Sequence, residues 1–172
     1  SLAASAGGSM VIVNTVGHVR TQLGGSNHDV ALLFAAYGLG SMSVAILLSR
    51  ILGSVSTRAT MIGGAVAMAC LLLVGGTGPG WMSSIGLRLL MGAASSAIGT
   101  PSGIVLRRSS GAADRPAVFA AQFALSHACW LVTYPLAGWL GVTIGLDATF
   151  VALSVVCLGG TVAATVLWPA DD

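Results

Sequence analysis

Rare charges divide this sequence into long, unbroken apolar runs, and few folds can accommodate such runs. A bilayer core of about 30 Å needs about 20 mostly apolar residues per crossing helix. Cutting the chain at its Arg, Asp and turn residues leaves six stretches of that size, over residues 2–19, 30–48, 61–76, 81–106, 117–141 and 148–168. Strands of a membrane barrel would alternate polar and apolar residues over about ten positions, and these runs do not alternate. The expectation is an all-α membrane protein: a single domain over residues 1–172 with six transmembrane helices. By eye the chain shows no repeat with a period of about 20–50 residues.

Composition narrows the class further. Only 7% of the residues are charged, against about a quarter in a water-soluble domain. The basic residues are all Arg and the acidic ones all Asp. A net charge of +2 on so few groups makes no electrostatic footprint for nucleic acid, so no nucleic-acid partner is expected. An all-Arg, Ala/Gly/Val-rich vocabulary suits a high-GC bacterial genome and hence a bacterial inner membrane. Cys70, Cys129 and Cys157 fall inside apolar runs and read as small buried hydrophobes, not as a disulfide framework or metal site; no metal or cofactor is expected. The chain opens at Ser1 with no charged leader, so it reads as a piece of something longer with no signal peptide.

Loop charge sets the orientation. Connectors 2–3 and 4–5 hold Arg50, Arg58, Arg107, Arg108 and Arg115, whereas the other connectors hold only Arg20. Connectors 2–3 and 4–5 are therefore expected in the cytoplasm, which puts both termini there too.

This pattern resembles one half of a major facilitator superfamily transporter, a fold of two six-helix halves. The strongest local likeness is Arg88-Leu-Leu-Met-Gly92, similar to the family's Arg-x-x-x-Gly in the fourth helix of a half, followed by the small run Ala93-Ala-Ser-Ser-Ala97. Leu52-Gly-Ser-Val-Ser-Thr-Arg58-Ala-Thr-Met-Ile-Gly63 stands where the family has a Gly/Asp/Arg-rich connector, without its acidic member. Pro135-Leu-Ala-Gly138 is similar to the end of the antiporter motif, with Tyr134 where that motif has Gly. Degenerate motifs of this kind imply the C-terminal half, helices 7 to 12 of a twelve-helix carrier, so the resemblance implies a missing N-terminal half as partner. It also implies that spans 3 and 6, which carry no charge, His, Asn or Gln, face lipid at the periphery, while Asn14, His18, Arg88, Gln122 and His127 sit on helices near the path. That segregation is what a bilayer demands, because ionisable groups facing lipid are costly.

The candidate path residues are Asn14, His18, Arg88, Gln122, Ser126, His127, Trp130 and Tyr134. Arg88 lies roughly 10 Å inside its helix at 1.5 Å per residue. Two fates are open to it: facing inward to hold the bundle or meet an anion, or snorkelling to the surface. His127 stands near mid-span, as a proton carrier, a soft-metal ligand, or a neutral ring bonded to a neighbouring helix. Gln122, Ser126, Cys129 and Thr133 follow i, i+4, i+7, i+11, and Phe123, His127, Trp130 and Tyr134 keep the same offsets one residue on. Together they form one polar and aromatic face, suited to a solute wall or to helix packing. Asn14 and His18 extend that path outward, His18 equally an interfacial residue. Asp29 is expected to cap helix 2. Conformational candidates are Arg58, Gly92, Pro101, Pro135 and Gly138; the two prolines are expected to interrupt helices 4 and 5, and Gly99-Thr-Pro-Ser-Gly103 reads as a close-approach step for another helix.

The functional expectation is a non-enzymatic secondary transporter of a small solute, working by alternating access and in the efflux direction, its cargo a drug-like compound, metal ion or oxyanion. The alternatives are a free-standing six-helix scaffold or channel that oligomerises, or an intramembrane serine protease built on Ser102. The last lacks the His its family expects on the sixth helix.

Overall fold

The computed structural model describes residues 1–51 and 53–168; Leu52 of the connector motif and Pro169, expected to close the last helix, lie outside the described residues. Among the described residues six helices are long and apolar enough to cross a membrane. The first span is α1 (Leu2–Gly17) prolonged by a π-helical turn over His18–Gln22; α2 (Asn27–Ile51) and α3 (Thr57–Gly75) follow. The fourth span is made of α4 (Trp81–Gly99) and a short α5 (Ser102–Arg108); α6 (Arg115–Thr143) and α7 (Leu146–Leu167) complete the chain. A helix satisfies all its backbone groups within itself, the condition for lying in lipid.

Cutting at charges clipped several helices. α2, α3 and α6 reach two to four residues further than expected at one or both ends, because terminal Arg and Asp stay helical while their heads reach water. Helix 2 begins one turn earlier, so Asp29 is not its cap residue: its carboxylate reaches back to accept from the Ser26 N–H at 2.7 Å and from Ser26 Oγ at 2.9 Å, the returning half of a capping box. The α6–α7 turn requires a left-handed residue, Gly145 at φ 85°, which glycine adopts without a Cβ clash.

The helices pack as two related triplets. α4 lies between α2 and α3 as α1 lies between α6 and α7, and α3 meets α7; exchanging spans 1–3 with spans 4–6 maps this pattern onto itself. The apolar core is drawn from α1, α3, α4 and α7, with Ala137 of α6. Ser154 donates to Ala69 O at 2.8 Å and Cys157 to Ala65 O at 3.5 Å, joining α7 to α3. The charge-free spans 3 and 6 are thus not the barest within this unit. The barest are spans 2 and 5: 22% of the span-2 window and 6% of the span-5 window are buried, against 67% for span 1.

The closest crossing is α2 on α4. A Cβ on Gly92 would lie 1.9 Å from Tyr37 O, and one on Gly40 would lie 1.8 Å from Leu89 O. Only glycine at both positions lets two backbones approach this closely, which gives the Gly of Arg88-x-x-x-Gly92 a packing role. Pro101 does break the fourth span, between Gly99 and Ser102. Pro135 does not interrupt the fifth: α6 runs through it from Arg115 to Thr143. Neighbouring turns carry the helix past the one missing N–H.

Candidate functional site

Two polar regions lie at opposite ends of the bundle. At the end carrying connectors 2–3 and 4–5, a cleft of about 400 Å³ opens between the start of α1, the broken fourth span and the first half of α6. Of the residues singled out from the sequence it gathers Gln122, Ser126 and Trp130, beside Phe119, Phe123, Ser102, Gly99 and Gly103. Trp130 is seated by Gly8 of α1, where a Cβ would fall 2.2 Å from the ring. Ser126 donates to Phe123 O at 2.9 Å and Ser102 to Gly99 O at 2.6 Å, so both hydroxyl oxygens keep lone pairs free. Ser102 spends its proton on its own backbone, which is not how a Ser/His nucleophile is held.

The polar and aromatic face of α6 is divided rather than shared. Thr133 is buried and donates to Ser5 O at 3.3 Å. Tyr134 stacks on Trp130 with ring centroids 4.8 Å apart. His127 is exposed, outside the cleft, its Nδ1 2.8 Å from Phe123 O and its ring 3.9 Å from that of Phe123. Asn14 donates to Ala137 O at 3.0 Å, and a Cβ on Gly141 would come within 2.7 Å of its Oδ1. Asn14 therefore ties α1 to α6. A Cβ on Gly138 would meet Val13 at an ordinary 3.5 Å. No helix of this unit makes the close approach expected at Gly99 and Gly103: among the described residues nothing lies within 4 Å of a Cβ at either.

At the opposite end, the π-helical turn brings His18 inward. Its Nδ1 is 2.6 Å from Gln22 Oε1 and its Nε2 3.2 Å from Ser84 Oγ; Gln22 in turn donates to Asp147 Oδ1 at 2.7 Å. The chain Asp147–Gln22–His18–Ser84 thus pins α7, α1 and α4 together. π turns add a residue to a helix and re-aim side chains. His18 is 1% exposed, held inside the bundle.

One turn below Ser84, Arg88 takes the inward of its two fates. It is 1% exposed, with Cζ 5.7 Å from the centre of the Phe150 ring and Nη1 and Nη2 without hydrogen-bond partners. Phe150 is wedged where Gly75 of α3 leaves room, a Cβ there falling 2.4 Å from the ring, and it meets His18 edge-on at 6.0 Å. Arg58, at the start of α3, donates to Thr165 O at 3.2 Å and so ties α3 to α7.

Gln22, Ser84, Asp147 and Phe150 were not singled out from the sequence. Helical spacing carried a signal for two: Gln22 is four residues after His18 and Ser84 four before Arg88, so each shares a face with its partner. Nothing in the spacing pointed to Asp147 or Phe150, which arrive from α7. Among the described residues no three His, Cys, Asp or Glu side chains gather into a metal-binding group.

Comparison with family models matches residues 1–172 to the one described as Major Facilitator Superfamily. Comparison with curated proteins gives no match to the chain.

Proposed function

This chain belongs to the major facilitator superfamily, a family of multi-pass secondary transporters, and on that premise we propose that it is the C-terminal half of a carrier that exports a small solute across a bacterial inner membrane. The observation that carries this reading is the cleft of about 400 Å³ beside a span broken at Pro101, with Gln122, Ser126 and Trp130 on its α6 wall. Discontinuous helices are where carriers expose backbone and side chains to cargo. The bare outer faces of α2 and α6 fit a second six-helix half packed against this one, the pathway running between them. The Arg-rich connectors support a cytoplasmic side for the cleft and for both termini. The export direction rests on Pro135-Leu-Ala-Gly138, with its likeness to an antiporter motif.

His18, Asn14 and Arg88 form the outer, closed end of this half. The bonded chain from Asp147 to Ser84 seals it while the opposite end stands open, the asymmetry that alternating access requires. Arg88, Gly92, Arg58, Pro101, Pro135 and Gly138 act in conformation, and Tyr134 and His127 flank the wall rather than forming it.

Countertransport in vesicles holding the intact carrier tests the reading. Saturable flux of a solute, accelerated by the same solute on the far side and lost in Trp130→Ala and Gln122→Ala, is the expected result. Flux that rises linearly with concentration without such acceleration would refute a carrier and favour an oligomeric channel.

A further inference from the structure

The lining of the Arg-rich-end cleft narrows the chemistry of its occupant. Three aromatic rings, Phe119, Phe123 and Trp130, supply flat apolar faces, and among the described residues no charged side chain lines it. Its polar groups offer acceptors and donors both. The Ser102 and Ser126 protons are spent on Gly99 O and Phe123 O, so both oxygens remain as acceptors; Gln122 donates one amide hydrogen to Ser1 Oγ at 3.1 Å, leaving its Oε1 and its second N–H free, and Trp130 adds an indole N–H. An anion would meet neutral donors but, among the described residues, no cationic side chain in the lining. A cation would meet rings that attract it but, among the described residues, no carboxylate in the lining, at the end of the bundle where Arg50, Arg58, Arg107, Arg108 and Arg115 all stand. An uncharged molecule with an aromatic body and a hydroxyl or amide that both donates and accepts satisfies what remains.

Two glycines define the room. Gly99 and Gly103 line the cleft, neither has a left-handed φ, and nothing lies within 4 Å of a Cβ at either. No turn and no helix crossing requires glycine there, although glycine costs a helix up to about 1 kcal/mol against alanine. The space that a side chain would occupy is the cleft itself.

We infer that this cleft binds an uncharged, aromatic, hydrogen-bonding solute, and that Gly99 and Gly103 set the largest size it accepts. The inference rests on the carrier reading for its role in transport, but binding is measurable without transport.

The test is saturable binding to the intact carrier in detergent, by equilibrium dialysis, with four probes sharing one ring system: 2-naphthol, 2-methoxynaphthalene, 2-naphthoate and a naphthyl-trimethylammonium. The expected order puts 2-naphthol first, about 3- to 10-fold tighter than the methyl ether, as one net hydrogen bond gives. Both charged probes are expected at least tenfold weaker than 2-naphthol. For size, phenol, 2-naphthol and 1-hydroxypyrene are compared in wild type, Gly103→Ala and Gly103→Leu. Hydroxypyrene binding is expected to fall progressively across the two variants while phenol binding holds, with helix content and thermal midpoint no lower than in wild type for Gly103→Ala. Binding of either charged probe equal to or tighter than 2-naphthol would overturn the chemistry. A size profile unmoved by Gly103→Leu would overturn the role of the glycines. Naphthol binding with no countertransport would sink the carrier reading and leave the site standing, whereas countertransport of a solute without naphthol binding would do the reverse.

Discussion

Gly92→Ala is the sharpest probe of how this bundle is held together. The added Cβ would stand 1.9 Å from Tyr37 O, 2.8 Å from Tyr37 C and 3.0 Å from Ser41 N. All three are backbone atoms of α2, so no rotamer change relieves the clash. Bringing the shortest contact to the 3.4 Å of ordinary packing requires α2 to withdraw by about 1.5 Å, which also pulls Gly40 from Leu89. Overpacking of this kind costs roughly 1–3 kcal/mol, and a backbone obstacle argues for the upper end. The alanine returns up to about 1 kcal/mol of helix propensity. The net expectation is a loss of about 2 kcal/mol, or about 30-fold in the folded-to-unfolded ratio. Gly86→Ala, on the same helix with nothing within 4 Å of its Cβ, is the control and is expected to gain up to about 1 kcal/mol. The assay is unfolding of the intact protein in mixed micelles, followed by tryptophan fluorescence. If Gly92→Ala unfolds at the same denaturant fraction as wild type, or the two variants shift together, the close crossing of α2 and α4 is wrong.

Three further outcomes follow from particular contacts. Asn14→Ala removes the bond to Ala137 O and is expected to cost about 1 kcal/mol in the same unfolding assay; no loss would mean that the α1–α6 tie is not made. Arg88→Met deletes a buried guanidinium whose Nη groups lack partners, so stability is expected to hold or rise while countertransport falls at least tenfold; destabilisation by more than about 2 kcal/mol would show that the charge is paired in the native carrier. In a double-mutant cycle, His18→Ala and Ser84→Ala are expected to couple by about 0.6–1.7 kcal/mol, the range for hydrogen bonds between membrane helices, and zero coupling would break the chain from Asp147 to Ser84.

Apolar run length and the placement of a few Arg and Asp residues determined the helix class, the number of spans and the expected orientation, because a bilayer penalises every unsatisfied backbone group and exposed charge. The same penalty made an inward Arg88 readable as one of two fates. Pro101 announced a break that occurs, since proline forbids the local hydrogen bond wherever it stands; Pro135 announced one that does not, since its surroundings carry the helix on.

Only the tertiary structure decided which helices meet. The related triplets leave no sequence repeat to the eye, because packing repeats a geometry of small residues and crossings rather than a string of letters. The α6 stripe read as one wall, yet packing sends Thr133 into α1, Trp130 onto Gly8 and His127 to the bare side. Gly92 and Gly103 look alike in sequence: one is filled by a neighbouring backbone and the other faces open space. Spacing fixes which side chains share a helix face, but what stands opposite that face depends on long-range contacts, and those exist only once the chain has folded.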